Sequence, residues 1–455
     1  MAKMFDTALR MDAAGPGGIP LLNNLSFLRH PAWYAFDRIA PAFPGPVVPL
    51  SRGNGSIVLL RGEEAVRRYF TDNDTFHRLS DGLFTLPEGR PWSRMFDAVI
   101  TFNGECHRRS RRLLMPIVHR TAMEHYRKVF ADTFKQSRFA SADREPFDMV
   151  AEFLRITRAN LLTCLLGLEP DARNVALAQS VSDLLQATLN PMVFMHQKDR
   201  DWTPYGRWVR RVAGVYDEFE AIIERKRAEE PRPDALSILC HTTDEDGDSL
   251  TTPEIAGELH GLFAAGFETT AMSMTWAMLT ILGTPELTVC DDETLDTVVK
   301  ESQRLIPTVP LSLPRRVMRE VEIDGSPPIP PGALAFAAPL LEHRDPAAFP
   351  DPDVFRPSRW ADSRPSPYEF LPFGVGQRRC LGASFADLQI RTTLGMALEY
   401  GTPELLTTEV DYRIKSGATA FPKKPIMIGV GRDGSSVRRC VTGSVTKLWS
   451  RFPPR

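Results

Sequence analysis

From Ile255 to Leu282 the chain contains no proline and is apolar on nearly every side of a helical projection. A helix of that kind is buried in a large core or spans a membrane. Glu258, His260 and Glu268 fall inside the run, and ionisable groups there argue against a span. With 455 residues, 43% of them hydrophobic, the chain is long enough to supply a large core. The run is interrupted by Ala265-Gly266-Phe267-Glu268-Thr269-Thr270. Glycine costs about 1 kcal/mol against alanine in a helix. Thr269 and Thr270 can bond back to the preceding turn and bend it. The hexapeptide therefore predicts a local opening of the helix. Read alone, it equally allows Thr269 to satisfy its own backbone while Glu268 points to solvent.

Helical patterning dominates the middle of the chain, over Phe147–Leu168, Val175–Leu189 and Tyr205–Glu229. The Pro-rich stretch Glu230–Pro233 separates the last of these from the next segment. Alternating runs near Val47–Leu60 and Val317–Ile329 predict strands, as do Tyr412–Ile414 and Pro425–Val430. Pro327–Pro367 is dense in proline and predicts an extended, meandering connection. There is no internal repeat and no composition break. The fold class expected is mainly α with small β-sheets (α+β), in a single large domain.

One further segment, Phe373-Gly374-Val375-Gly376-Gln377-Arg378-Arg379-Cys380-Leu381-Gly382, places a cysteine behind a glycine-rich turn. A helix-like run, Ala383–Leu398, comes directly after it. Glycine allows positive φ and close backbone approach. Backbone N–H groups, a helix start and a metal would all favour thiolate over thiol. A lone cysteine is more often an ordinary buried hydrophobe; here Phe373, Gly376, Arg378, Cys380 and Gly382 recur together at fixed offsets.

This segment resembles the cysteine-ligand loop of the cytochrome P450 family, the haem-thiolate monooxygenases. The resemblance runs from about Pro16 to Gly431. It implies residues 1–15 as an N-terminal extension, 16–431 as one haem domain and 432–455 as a basic tail that composition reads as disordered. It also implies haem b (iron protoporphyrin IX), buried between the long central helix and the Cys380 loop, with Cys380 as the iron ligand. The hexapeptide is similar to the family's oxygen-activation motif. On that likeness Thr269 and Glu268 are the catalytic pair and Ala265 and Gly266 lie closest to the haem face.

Haem brings two carboxylates inside, and arginine serves them best. In Cys106-His107-Arg108-Arg109-Ser110-Arg111-Arg112-Leu113, His107 and Arg111 stand one helical turn apart, as in the family's propionate-binding helix. Arg378 and Arg315 resemble further propionate partners, although the neighbouring Arg316 leaves the register of Arg315 open. Arg108 and Arg112, with Arg379, could face outward and steer an acidic electron-transfer protein. Glu301-Ser302-Gln303-Arg304 and Arg359 resemble the family's structural Glu–Arg–Arg triad.

The resemblance implies O2 activation with electrons from outside, a ferredoxin and its reductase being the source in soluble bacterial members. An H2O2-dependent peroxygenase would typically lack the acid–alcohol pair, and a non-catalytic haem sensor would have no use for it. Phe84, Leu86, Phe96, Val309, Leu311 and Ala420 are the candidate pocket walls, and their apolar character suggests a fatty acid, terpenoid, steroid or polyketide. Arg90 or Arg94 could bind a carboxylate, though loop arginines are usually solvated. Net charge is −2, with no zinc-finger spacing or phosphate loop, so nothing argues for nucleic acid. The six cysteines are scattered without paired spacing, which suits a reducing compartment. The N-terminus shows neither a signal-peptide core nor a membrane-spanning run, so a cytoplasmic location is expected.

Overall fold

The computed structural model describes residues 40–50, 57–79, 86–143, 145–188, 193, 197–284, 287, 291–415, 419–431 and 440–448. Its longest element is the helix Thr252–Leu282, which is continuous through the hexapeptide. The predicted opening is therefore not a break in the helix. Pro253 sits in the first turn, and the Thr251 N–H donates to Glu254 Oε2 at 2.9 Å, satisfying one end group. Gly283 comes after its last turn.

In chain order the main helices are α1 (Glu63–Thr71), α2 (Gly104–Leu114), α3 (Arg120–Lys135), α4 (Met149–Leu166) and α5 (Ala172–Thr188). Then come α6 (Pro204–Ala228), α7 (Ala235–His241), α8 (Thr252–Leu282), α9 (Asp292–Leu305) and α10 (Ala383–Glu399). Helix α8 threads two apolar cores. Ile255, Leu259, Phe263 and Phe267 belong to a core with α4, α5, α6 and α7. Ala271, Met274, Met278 and Leu282 belong to a second core with α9 and α10. The polar hexapeptide lies where the helix passes from one core to the other. Burial all round is what its apolar surface required.

Three small sheets complete the fold. The strands are β1 (Val47–Pro49), β2 (Ile57–Leu60), β3 (Phe76–Arg78), β4 (Phe147–Asp148) and β5 (Arg315–Val317). They continue with β6 (Leu334–Ala337), β7 (Thr402–Leu405), β8 (Tyr412–Lys415), β9 (Thr419–Pro422) and β10 (Met427–Gly431). The five-stranded sheet runs β1-β2-β6-β5-β3, the second runs β4-β10-β7, and β8 pairs with β9. Strand β6 corrects the expectation of a formless connection over Pro327–Pro367. Its short apolar run pairs with β2 and β5 in the middle of the sheet. The prolines around it mask a strand too short to show alternation. Of the Val317–Ile329 strand, only Val317 belongs to a strand proper, and Val321 bridges Ile329.

Residues 440–448 of the basic tail pack on the domain. Val441, Val445 and Leu448 are buried in the second core, and Arg344 Nη2 donates to the Leu448 carbonyl at 2.6 Å. These three apolar side chains dock the described part of the tail. Trp449, Phe452 and residues 1–15 lie outside the described residues. Among the described residues no helix is long and apolar enough to cross a membrane.

Candidate active site

The cysteine loop is shaped by its glycines. Gly374 and Gly376 have φ of 64° and 73°, values that favour glycine. At Gly376 a Cβ would also approach the Phe70 carbonyl oxygen of α1 to 3.2 Å. The Arg379 N–H closes the turn on the Gly376 carbonyl at 3.0 Å, and the Cys380 N–H donates to the Phe373 carbonyl at 2.9 Å. Gly382 has an ordinary φ of −83°. A Cβ there would meet nothing within 4 Å, so no polypeptide contact demands glycine beside Cys380.

Cys380 presents accessible surface, yet burial pushes its thiol above the ordinary value. Those two facts together describe the wall of an internal concavity. A bond from the Gly382 backbone and the nearby Arg379 and Arg111 pull the other way but do not prevail. The sequence-based case for a thiolate thus needs its metal: a coordinated thiol is deprotonated outright. Among the described residues no group of three or more His, Cys, Asp and Glu forms an alternative metal site.

On α8, Ala265 is exposed although Phe263 and Phe267 on either side are buried. An exposed residue in the middle of a buried helix faces an internal space. Gly266 corrects the expectation that it shares that face. Its missing Cβ would point at Leu161 Cδ2 of α4, 3.3 Å away, so its smallness lets two helices approach. Thr269 Oγ1 donates to the Ala265 carbonyl at 2.5 Å, the back-bond its sequence allowed. Glu268 accepts from Gln186 Nε2 of α5 at 3.1 Å, a partner the sequence did not suggest.

Four arginines gather around His107. The β3–β5 register sets Arg78 directly opposite Arg315. Strand alternation distinguishes Arg315 from its neighbour: Arg315 is buried and Arg316 half-buried. Arg315 Nη1 donates to the Tyr69 carbonyl at 2.7 Å, and its guanidinium lies 4.6 Å from the Tyr69 ring. Its Nε and Nη2, and the Nε of Arg78, are buried without a partner. Arg378 reaches the carbonyls of Val99 and Phe102 and Asn103 Oδ1. Arg111 Nη1 donates to the Arg379 carbonyl at 2.9 Å.

His107, buried on α2, is pulled down to about 4 by burial and then by Arg378, Arg111, Arg78 and Arg315. Arg378 is itself lowered to about 9 by burial and by the other three. Like charges facing across a sheet are destabilising, and no acid figures among the influences on His107 or Arg378. Sequence reading missed Arg78; the strand FHR gives no hint of its partner, which only the sheet register supplies.

Glu258 of α8 accepts from the Val99 N–H at 2.9 Å and from the Ser110 hydroxyl. It fastens the loop before α2, and α2 itself, to the central helix. Below the cysteine loop, Glu301, Arg304 and Arg359 are brought together. Arg304 Nη2 and Arg359 Nε each meet Glu301 Oε1, at 2.9 and 3.0 Å. The Arg356 N–H and Trp360 Nε1 complete the carboxylate, at 2.9 and 3.1 Å. Arg304 also donates to the carbonyls of His343 and Pro352.

The pocket candidates divide. Phe84 lies outside the described residues. Phe96 is half-buried and stacks on Trp208 at 5.5 Å, with His260 against its ring, and Val309 is half-buried. Leu86 is buried in the first core. Leu311 is buried against β1, β2 and β6. Ala420 is buried too, its N–H on the Thr308 carbonyl and its carbonyl on Trp276 Nε1. Leu311 and Ala420 are therefore packing residues, not walls. Among the described residues, Ile100 and Leu313 are the exposed large apolar side chains on the corresponding loops, and Ile100 Cγ2 stands 4.0 Å from the Cβ position of Gly261 on α8.

Of the outward arginines, Arg108 and Arg112 carry surface ion pairs, as does the neighbouring Arg109. Arg108 pairs with Glu105, Arg109 with Asp248 and Glu254, and Arg112 with Asp244. Arg94 likewise pairs with Asp97.

A lone thiol in an internal concavity, a buried apolar helix with one exposed residue at its middle and a cluster of guanidinium groups with buried, unpartnered nitrogens together define a thiolate-ligated haem protein. The residues fit the group: its two carboxylates answer the uncompensated arginines, and the open space beside Gly382 admits a flat ring. The chain belongs to the cytochrome P450 family, whose model matches residues 14–289 and 293–430. It is a cytochrome P450 monooxygenase, with haem held by a thiolate as its cofactor.

Among curated relatives, Putative cytochrome P450 138 of Mycobacterium tuberculosis is 29% identical over 397 residues, spanning 81% of this chain and 85% of the relative. Putative cytochrome P450 135B1 of Mycobacterium bovis is 29% identical over 419 residues, spanning 87% and 84%. Two solved structures share the fold at TM-score 0.69. The retinoic acid-bound cyanobacterial CYP120A1 is 22% identical, over 86% of this chain and 92% of that one. P450BioI in complex with a hexadec-9Z-enoic acid-ligated acyl carrier protein is 21% identical, over 85% and 96%.

Proposed function

We propose that this monooxygenase hydroxylates or epoxidises a long apolar molecule within a single haem domain spanning residues 16–431. Haem on a thiolate supplies oxygen activation and the oxidation of an unactivated C–H bond. The chain's own residues supply position, dryness and protons. Cys380 is the ligand. Arg78, Arg111, Arg315, Arg378 and His107 bind the propionates. Thr269, with its hydroxyl hydrogen on the Ala265 carbonyl, keeps its oxygen as an acceptor beside the open space, and Glu268 carries protons from the solvent side. Glu301, Arg304 and Arg359 hold the scaffold under the loop.

The observation that carries this reading is the cluster of arginines without an acid, some of their nitrogens buried and unpartnered, beside the lone thiol. Ile100, Leu313, Val309 and Phe96 give the pocket apolar walls, which favours a fatty acid, terpenoid, steroid or polyketide. The ligands of the two structural neighbours, retinoic acid and a hexadecenoic acyl chain, are of that kind. Electrons come from a ferredoxin and its reductase, in the cytoplasm. The acid–alcohol pair Glu268-Thr269 favours this over direct use of hydrogen peroxide.

An optical titration of the ferric protein with fatty acids, terpenoids and steroids tests the reading. A low-spin to high-spin Soret shift with one class names the substrate class. A protein that binds haem without a thiolate-type spectrum removes Cys380 from its role.

A further inference from the structure

His343 touches none of the groups that line the site. It is fully buried, in the turn after the short helix Pro339–Glu342. Its Nε2 lies 2.8 Å from the Leu371 backbone nitrogen. Its Nδ1 lies 3.2 Å from the Arg304 carbonyl oxygen. A backbone N–H can only donate, so Nε2 accepts and is unprotonated. The ring proton is therefore on Nδ1 and is donated to Arg304. The His343 carbonyl in turn accepts from Arg304 Nη1 at 2.7 Å.

The ring thus spans two elements. One is the end of α9, which carries Glu301 and Arg304. The other is the approach to the cysteine loop: the Leu371 carbonyl accepts the Gly374 N–H at 3.2 Å, and the Phe373 carbonyl accepts the Cys380 N–H. A second connection runs beside it, from Glu301 through Trp360 Nε1 and the Trp360 ring to Phe370, whose ring lies 5.2 Å from His343. Burial, with Arg304 and Arg344 close by, keeps the imidazole neutral, the only form that can make both bonds.

We propose that His343 is a positioning residue for the thiolate ligand: its neutral Nδ1–H tautomer locks the cysteine loop to the Glu301–Arg304 hub and so fixes where the Cys380 sulfur stands. The proposal rests on the reading of Cys380 as the haem ligand. A carbonyl-bound ferrous P450 converts from a thiolate-type to a neutral-ligand-type Soret band when the sulfur is displaced or protonated. Loss of the Leu371 bond loosens the loop and speeds that conversion.

Two variants separate the two bonds. In His343→Asn the amide nitrogen takes the place of Nδ1 and keeps the bond to Arg304, but nothing reaches Leu371. In His343→Gln the side-chain oxygen takes the place of Nε2 and still accepts from Leu371. The haem-loaded proteins are followed as the carbonyl complex in mild urea, with thermal unfolding measured alongside. The expected result is conversion about tenfold faster in His343→Asn, the scale of one lost buried hydrogen bond. His343→Gln stays near the parent at a comparable unfolding temperature. Equal rates in all three proteins, or rates that merely follow unfolding temperature, overturn the proposal. Cys380→Ser is the control for the underlying reading: a thiolate-type band that survives it removes the ligand assignment itself. Exchange of the Leu371 amide hydrogen in the parent protein gives a readout that needs neither variant nor turnover. Protection is expected, and exchange as fast as at an exposed loop amide overturns the proposal.

Discussion

The hub beneath the cysteine loop is fully buried and the arginine cluster beside it partly so; both are highly charged, but they are built on opposite terms. Glu301 is fully buried and meets Arg304, Arg359, Trp360 and the Arg356 N–H. The spare donors of Arg304 and Arg359 end on backbone carbonyls of Pro350, Asp351, Pro352 and Val354. The chain satisfies this region by itself. Arg78 and Arg315 face each other across a sheet, with Arg378 and Arg111 close by, and guanidinium nitrogens are left buried and unpartnered. A polypeptide does not evolve such a region for its own stability, because a buried charge needs a partner. The difference separates scaffold from site without reference to any catalytic group: scaffold charges close on the chain, whereas site charges wait for a ligand.

The sharpest break in this comparison comes from the hub. Glu301→Ala leaves two buried guanidinium groups uncompensated, a loss of roughly 3–5 kcal/mol. Denaturant unfolding should show that loss even without haem, and haem content should fall with it. Normal unfolding and normal haem loading would erase the distinction.

The arginine cluster should respond in the opposite sense. Arg78→Met removes a repelling charge, and its side chain gives up one bond, to the Leu313 carbonyl at 3.2 Å. Haem dissociation should accelerate by about 10- to 100-fold, the scale of a charge-assisted hydrogen bond. The haem-free protein should unfold at the same temperature or higher. A haem-free protein that is clearly destabilised would make Arg78 a scaffold residue.

An effect of no greater size is expected at the proposed proton path. Thr269→Ala and Glu268→Gln should lower product formed per nicotinamide consumed by about a hundredfold, the lower end of general acid–base contributions, while substrate-induced spin shifts remain. Unchanged coupling in both would remove the pair from proton delivery.

The gentlest test is pH. His343 is held down to about 3 by burial and then by Arg304 and Arg344, against an ordinary 6.5. The unfolded chain therefore binds the extra proton, and stability falls as pH drops through 6.5 toward that value. Glu258 is pushed up to about 7 by burial from an ordinary 4.5. There the folded state binds the proton, so its contribution is present below pH 4.5 and is lost as pH rises toward 7. His343→Gln should flatten the acid limb of a stability–pH curve and Glu258→Gln the upper one. Identical curves for parent and variants would place both groups in water-like surroundings.

Much of this was legible in the residues. A helix apolar on all sides had to be central, and it is. The glycines of the cysteine loop announced a turn that only they permit, and both Gly374 and Gly376 adopt positive φ. Spacing along one helix put Glu301 beside Arg304, and His107 one turn from Arg111. In each case the information was local, within a few residues of backbone whose geometry is fixed by its own period. The pairing of Arg78 with Arg315, the bond from Gln186 to Glu268 and the reach of His343 to Leu371 join residues far apart in the chain. No period relates them. They depend on which strands pair and which helices pack, and those are settled by burying the apolar surface of the whole domain at once. For the same reason Leu311 and Ala420 read as pocket walls in sequence but are packing residues in the fold: whether an apolar side chain faces a cavity or a neighbour is a property of the assembled core and not of the residue.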